Sequence, residues 1–382
     1  MSAPADSVYL DYNGSTPVDG RVRQAFLDAL DGPLGNASAA HALGLAARAT
    51  IDRARQSIAA GIGARPEEVW FTSGGTESNN WAVLECAAAP GAAAAHLVVS
   101  SIEHKSVLES ARRAAQRGAE VTFVDPRPSG RVALEDLERA LRPNTRLVAL
   151  MLANNETGIL QPVAEAGELC RSRGVHLLCD AVAAIGKVPV DVGALRCDFL
   201  SLSAHKLYAP KGVGVLYIRS GVQLPPFVVG CGQQCGMRGG TENTAGVAAL
   251  GVAFERLAAG AFDPRAVERM RELLWKRLRE LRPDVQLNGE GPRLPNTLSV
   301  AFPGVDAAAL QARLAELGVS VAAGAAASNG AVSHVLAAMR VPEHLARGTL
   351  RFSLGAGVDE RTLDHALRAL SLALAPQPVP AA

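Results

Sequence analysis

The 382-residue chain has almost no net charge, with 38 Lys+Arg against 37 Asp+Glu and a formal +1 at pH 7. That balance excludes broad electrostatic capture of nucleic acid or of an anionic membrane as the main binding mode. No apolar run of about eighteen residues is free of charges or loop signals, so no membrane span is expected. The opening MSAPADSVYLDYN has neither a basic n-region nor a long apolar core. The expectation is a cytoplasmic protein without a secretory leader. No repeat of fixed period is visible. The six cysteines (86, 170, 179, 197, 231 and 235) form no CxxC pair and lack zinc-ligand spacing, so neither a disulfide framework nor a metal site is expected. Cys231 and Cys235 come nearest to a cluster. Lysine is scarce, at positions 105, 187, 206, 211 and 276 only, so a lysine in apolar surroundings stands out.

Seven short apolar runs are present: VWFTS (69–73), HLVVSS (96–101), VTFVD (121–125), RLVALML (146–152), HLLCDA (176–181), DFLSLS (198–203) and GVLYIR (214–219). Continuous apolar runs bounded by turn residues predict strands buried on both faces. Helix-like segments lie between them at 77–88, 105–117, 132–141 and 162–173. This alternation predicts an α/β fold with a mostly parallel sheet, and ligands in such sheets bind at the carboxyl ends of the strands. After about residue 220 the pattern changes. A Gly-rich stretch, GCGQQCGMRGGT (230–241), leads to helices near 243–259 and 264–281. Strand-like VQLNG, NTLSVAF and TLRFSLG then mix with helices at 306–317, 333–339 and 359–374, as in a smaller α+β domain. The boundary is expected near Gly260.

Lys206 follows the buried run DFLSLS and precedes a Pro/Gly loop. It fits a Schiff-base lysine made nucleophilic by desolvation, or a strand-end lysine that snorkels to solvent. Asp180 ends another apolar run. A lysine and a carboxylate at strand ends are what pyridoxal 5'-phosphate (PLP) requires, one for the imine and one for the pyridinium nitrogen; as a plain element, Asp180 would be a cap or turn residue. FTSGGTESNN (71–80) reads as strand, turn and helix start, where Gly75 and Thr76 suit an anion or simple N-capping. Ser203 and His205 flank the lysine and offer further phosphate contacts. His104 suits ring stacking or proton transfer, Asn155 a hydrogen bond to a ring hydroxyl, and Arg351 a bidentate carboxylate clamp. Each is also an ordinary loop or strand residue.

Together LDYNGSTP (10–17), GNASAAH (35–41), TSGGTESNN (72–80), EHKSV (103–107), NNETG (154–158), HLLCDA (176–181), SAHKLYAPKGVGVLY (203–217), MRGGTEN (237–243) and RFSLG (351–355) resemble the NifS/IscS-type cysteine desulfurases of the class V aminotransferase superfamily. The resemblance runs in order from about residue 8 to 375. It implies the fold-type I PLP architecture. A large domain (19–259) would carry a mixed, mostly parallel seven-stranded sheet, and 1–18 with 260–382 would form a small domain. It also implies a homodimer, L-cysteine as substrate and a sulfur-acceptor protein. By position it makes Lys206 the covalent anchor of PLP, Asp180 the partner of the ring nitrogen and His104 the residue stacked on the ring. Thr76, Gly75, Ser203 and His205 would hold the phosphate, with Thr241 of the other subunit. Asn155, Arg351 and the nearby Asn36 would bind the substrate.

Two positions depart from the family. Its nucleophilic loop cysteine aligns with Ala327 in VAAGAAASNGAVSHVL (321–336), and no cysteine follows Cys235. An alanine methyl can neither attack sulfur nor carry it. The family's glutamine beside the ring hydroxyl aligns with Ala183. The expectation is therefore a PLP-dependent cysteine desulfurase in an inactivated Cys-to-Ala form. The alternatives are a diverged PLP enzyme needing no loop thiol (a C–S lyase, selenocysteine lyase, aminotransferase or epimerase) and a non-catalytic interaction protein.

Overall fold

The computed structural model describes residues 7–32, 35–88, 94–323 and 332–375. All seven apolar runs form strands of one sheet. Their order is Val69–Thr72, Gly214–Ile218, Phe199–Ser203, His176–Asp180, Thr145–Ala149, His96–Ser100, Glu120–Val124. Only Gly214–Ile218 runs against the others, pairing antiparallel with both neighbours. Alternate residues of each strand feed two separate cores. Val98, Val148, Leu177, Leu200 and Val215 face one side, while Leu97, Val99, Leu147, Leu178, Phe199 and Leu216 face the other. Side chains alternate across a pleat, so a sheet covered twice needs apolar residues at every position. Glu120–Val124 lies at the sheet edge and is accordingly the most exposed strand.

The helices fall within one or two residues of their expected ends. One of these small differences bears on function. The helix expected from residue 77 begins at Gly75, so Gly75 and Thr76 form its first turn rather than the loop before it. Four cysteines (86, 170, 179 and 197) are buried, and Cys231 and Cys235 are exposed.

The C-terminal part builds a four-stranded antiparallel sheet from Ala322–Ala323, Thr349–Ser353, Thr297–Ala301 and Gln286–Leu287. Its core includes Leu274, Leu310, Phe352 and Leu370, together with Val8 and Leu10 from the other end of the chain. Val8–Tyr9 pairs in parallel with Val319–Ser320. Beyond this pairing the N-terminal segment runs on to Asn13 and Gly14, which reach the carboxyl ends of the large sheet. No helix is long and apolar enough to cross a membrane among the described residues.

Candidate active site

A cavity of about 580 Å³ opens where these strands end. Its lining includes Gly75, Thr76, His104, Asn155, Asp180, Ala183, Ser203, His205, Lys206 and Arg351. Asp180 is the last residue of His176–Asp180 and only 4% exposed. Its Oδ2 accepts from Asn79 Nδ2 at 2.8 Å and its Oδ1 from the Val182 amide at 2.9 Å. A carboxylate has about four acceptor positions, so capacity remains toward the cavity. Lys206 lies just past Phe199–Ser203, the strand paired in parallel with that of Asp180. Its Nζ donates to the backbone carbonyls of Asn13 and Gly14. Burial, then the charge of Arg351, pull its amine down to about 8 against the opposing pull of Asp11 and Asp180. Desolvation disfavours the ammonium form and leaves a larger nucleophilic fraction at neutral pH.

One end of the cavity suits an anion. The helix Gly75–Ala88 begins there, and the first amides of a helix have no intrahelical acceptor. A Cβ at Gly75 would meet Val182 Cγ2 at 2.6 Å, and one at Gly214 would meet Gly74 Cα at 2.5 Å. Glycine at these places lets the Ser73–Thr76 turn lie against the strand ends. Thr76, Ser203 and His205 bring polar side chains to the same end. His205 is pulled down to about 4 by burial and then by the charges of Lys206, Lys211 and Lys187. At the other end, Arg351 donates to Asp11 Oδ1 at 2.6 Å and to the Asn155 carbonyl at 2.9 Å. Its Nε is buried and has no partner among the described residues.

The description of the class V aminotransferase family matches residues 8–365. The chain belongs to that family. As a class V aminotransferase family member it is 41% identical over 369 residues to the cysteine desulfurase IscS of Aeromonas hydrophila subsp. hydrophila, covering 94% of this chain and 91% of the relative. It is 42% identical over 367 residues to the enzyme of the same name from Anaeromyxobacter dehalogenans, with the same two coverages. Among solved structures, a NifS-like protein superposes with a TM-score of 0.90 at 34% identity, covering 96% of this chain and 99% of that one. A structure described as SspA in complex with cysteine gives a TM-score of 0.82 at 35% identity over 91% of this chain and 99% of that one.

Members of this family are generally PLP-dependent, and the cavity fits the cofactor. It pairs a lysine of lowered pKa with a buried carboxylate, and it has a glycine cradle at a helix start for the phosphate. Two expected residues stand apart from it. Asn36 is exposed and its Oδ1 accepts from the Ser38 amide at 2.9 Å. Thr241 is exposed and outside the cavity lining of the single chain. Ala327 lies outside the described residues.

The structure adds residues that sequence reasoning missed. Asn79 and Ser106 tie Asp180 to His104. Asn13 and Gly14 receive Lys206. Glu77 lines the cavity and pairs with Arg238 of the Gly-rich stretch at 2.9 and 3.1 Å. Burial opposes that charge, but Arg238 and Ser73 still hold the Glu77 carboxyl below its usual range. Lys187 donates to the Ala183 carbonyl at 2.9 Å. Burial, then Lys206, pull its amine to about 7. Asn13, Gly14, Glu77, Asn79, Ser106 and Arg238 lay within the quoted motifs without an assigned role, and Lys187 carried a signal only as one of five lysines.

Proposed function

We propose that the chain is a PLP-dependent cysteine desulfurase built to convert L-cysteine to L-alanine and to pass the sulfur to an acceptor thiol. The observation that carries this reading is the meeting of Lys206 and Asp180 in one cavity, in a chain about 40% identical to cysteine desulfurases along nearly its whole length. Lys206 would hold the cofactor covalently and Asp180 would hold its ring nitrogen. The first turn at Gly75 and Thr76, with Ser203, His205 and Thr241 of a second subunit, would hold its phosphate. When bound, PLP supplies an electron sink for charge developing on the substrate.

The remaining work falls to side chains. Arg351 would exchange Asp11 for the substrate carboxylate, with Asn155 and Asn36 beside it. Lys206, with an amine near 8, can give or take a proton at Nζ near neutral pH. His104 lines the same cavity. Overall, L-cysteine and an acceptor thiol become L-alanine and an acceptor persulfide, so no outside oxidant is needed. We assign 19–259 to the cofactor domain and 1–18 with 260–382 to the smaller one. The expected state is a cytoplasmic homodimer that meets a sulfur-acceptor protein.

Ala327 makes this an inactivated Cys-to-Ala form, because the thiol that would take the sulfur is missing. The expected result is near-background alanine and persulfide from L-cysteine with the chain as it stands. Ala327→Cys is expected to raise alanine release by at least ~10²-fold, the scale of a restored catalytic group. A cofactor-loaded Ala327→Cys protein that stays at background overturns the reading. Ala183 favours a second reading, since its methyl lines the cavity at the position of the family's glutamine. In that case the unaltered chain is a diverged PLP enzyme, and product analysis would find it turning over L-cysteine, selenocysteine or another amino acid without a loop thiol.

A further inference from the structure

His104 is the N-cap of the helix Lys105–Gln116, and this fixes the state of one ring nitrogen. The Ser106 amide donates to His104 Nδ1 at 3.1 Å. A backbone N–H has a proton to give and no lone pair to offer, so Nδ1 accepts and carries no proton. The Ser106 hydroxyl is 2.8 Å from the same nitrogen. Its direction is set one residue further back. Asn79 Nδ2 donates to Ser106 Oγ at 2.9 Å and to Asp180 Oδ2 at 2.8 Å.

An ionised carboxylate only accepts, so Asp180 decides which way the Asn79 amide points. Turning it over would press Asn79 Oδ1 against Asp180. With Asn79 already donating into Ser106 Oγ, the hydroxyl proton is left to point at Nδ1. Asn79 is 1% exposed and Ser106 7%, so water offers little competition at these two residues, while His104 itself is exposed. The neighbouring Glu103 is driven toward its neutral form by burial and then by Asp180.

We infer that Asn79 and Ser106 are positioning residues that lock the His104 imidazole in the tautomer with its proton on Nε2. Nε2 is then a hydrogen-bond donor and not a resting general base. The order runs from the charge of Asp180 through an amide and a hydroxyl to the imidazole. The desulfurase reading is needed only for the reaction in which this donor is used; the tautomer belongs to the chain itself.

The test is two-bond proton–nitrogen NMR of the histidine rings in the full chain without cofactor. His104 is assigned by the signals lost in His104→Gln. The expected wild-type spectrum has Nε2 protonated and Nδ1 bare, and a protonated Nδ1 overturns the inference without any further variant. Ser106→Ala removes one of the two donors to Nδ1 and leaves the 3.1 Å amide contact alone, so the averaged Nδ1 and Nε2 shifts are expected to move toward each other while Nε2 stays the main protonated site. Ser106→Thr keeps the hydroxyl and should keep the wild-type spectrum. An unchanged spectrum in Ser106→Ala overturns the role given to Ser106. On the Ala327→Cys background with cofactor, Ser106→Ala is expected to lower kcat about tenfold with KM within about twofold, and Ser106→Thr to recover it. If Ala327→Cys is inactive while the ring signals are as expected, the desulfurase reading falls and the tautomer lock stands.

Discussion

The two ends of the cavity are held together in different ways. At the sheet end, Asp180, Asn79, Ser106 and His104 bond to one another side chain to side chain, all within one sheet and the helices that follow its strands. At the other end the charged groups are held across long sequence distances. Arg351 binds Asp11 and the Asn155 carbonyl, while Lys206 binds the carbonyls of Asn13 and Gly14. Asp180, Asn79 and Ser106 of the first set are buried and already bonded, with His104 exposed at its outer end, so this set can hold a cofactor at fixed geometry. The second set uses backbone acceptors and one partly exposed carboxylate, with Asp11 27% exposed against 12% for Arg351. Its bonds can be exchanged, at Lys206 for the cofactor and at Arg351 for substrate, at less cost than breaking the buried set.

Paired substitutions are expected to separate the two ends most sharply. Asp180→Ala strands the Asn79 amide and should lower unfolding stability by about 1–3 kcal/mol, the penalty for an unpaired buried polar group. The same change should weaken cofactor binding by more than about tenfold, as followed by titrating the visible absorption of the bound cofactor. Arg351→Ala should leave cofactor affinity nearly unchanged. On the Ala327→Cys background it should raise KM for L-cysteine by about 10-fold to 150-fold, the range of one or two charge-assisted hydrogen bonds. If Arg351→Ala impaired cofactor binding as much as Asp180→Ala, the distinction between the two ends would not hold.

This contrast also explains what the sequence made legible. Every strand of the large sheet was visible because burial on both faces leaves unbroken apolar runs such as FLSLS and HLVVS. Asp180, Lys206 and His104 were visible because polar residues interrupt those runs at their carboxyl ends. The pairing Val8–Tyr9 with Val319–Ser320 was not visible, since two-residue strands have no period to read. Asn13 was read only as part of a family motif, because its bonds to Thr297 and Asn296 span more than 280 residues. Asn79 sits inside a helix where an asparagine reads as solvent-facing. Its burial follows from the packing of Gly75–Ala88 against the sheet, which no local pattern encodes.

The phosphate end is expected to show itself in pH dependence. Burial lowers His205 from 6.5 in the unfolded chain to about 4 in the folded one. Between those values the unfolded state binds more protons, so stability rises with pH, is complete above pH 6.5 and is lost as pH falls toward 4. His205→Asn should flatten this part of the urea-midpoint curve measured on the cofactor-free protein. His205 is only partly buried, so solvent screening should keep the change small. A curve that keeps its full slope in the variant would assign the acid sensitivity elsewhere, with His96, also lowered by burial, the next group to test.

The smallest expected effect concerns the thiols and the surface beyond the cavity. Burial pushes Cys86, Cys170 and Cys197 up to about 12, and Cys179 well above its ordinary value. All four combine a blocked approach with a suppressed thiolate, and thiolate is the reactive form. Cys231 and Cys235 are exposed on the loop that Arg238 ties to Glu77 and that Gln234 ties to Phe71. A disulfide exchange reagent should therefore titrate two thiols in the native protein and all six only after denaturation. The double change Cys231→Ser with Cys235→Ser should abolish the fast phase and move stability by less than about 0.5 kcal/mol. Should the native protein show no fast thiol, this loop is covered in solution. The proposed homodimer is the most direct cover for it, because Thr241 on the same stretch would serve the other subunit's phosphate site.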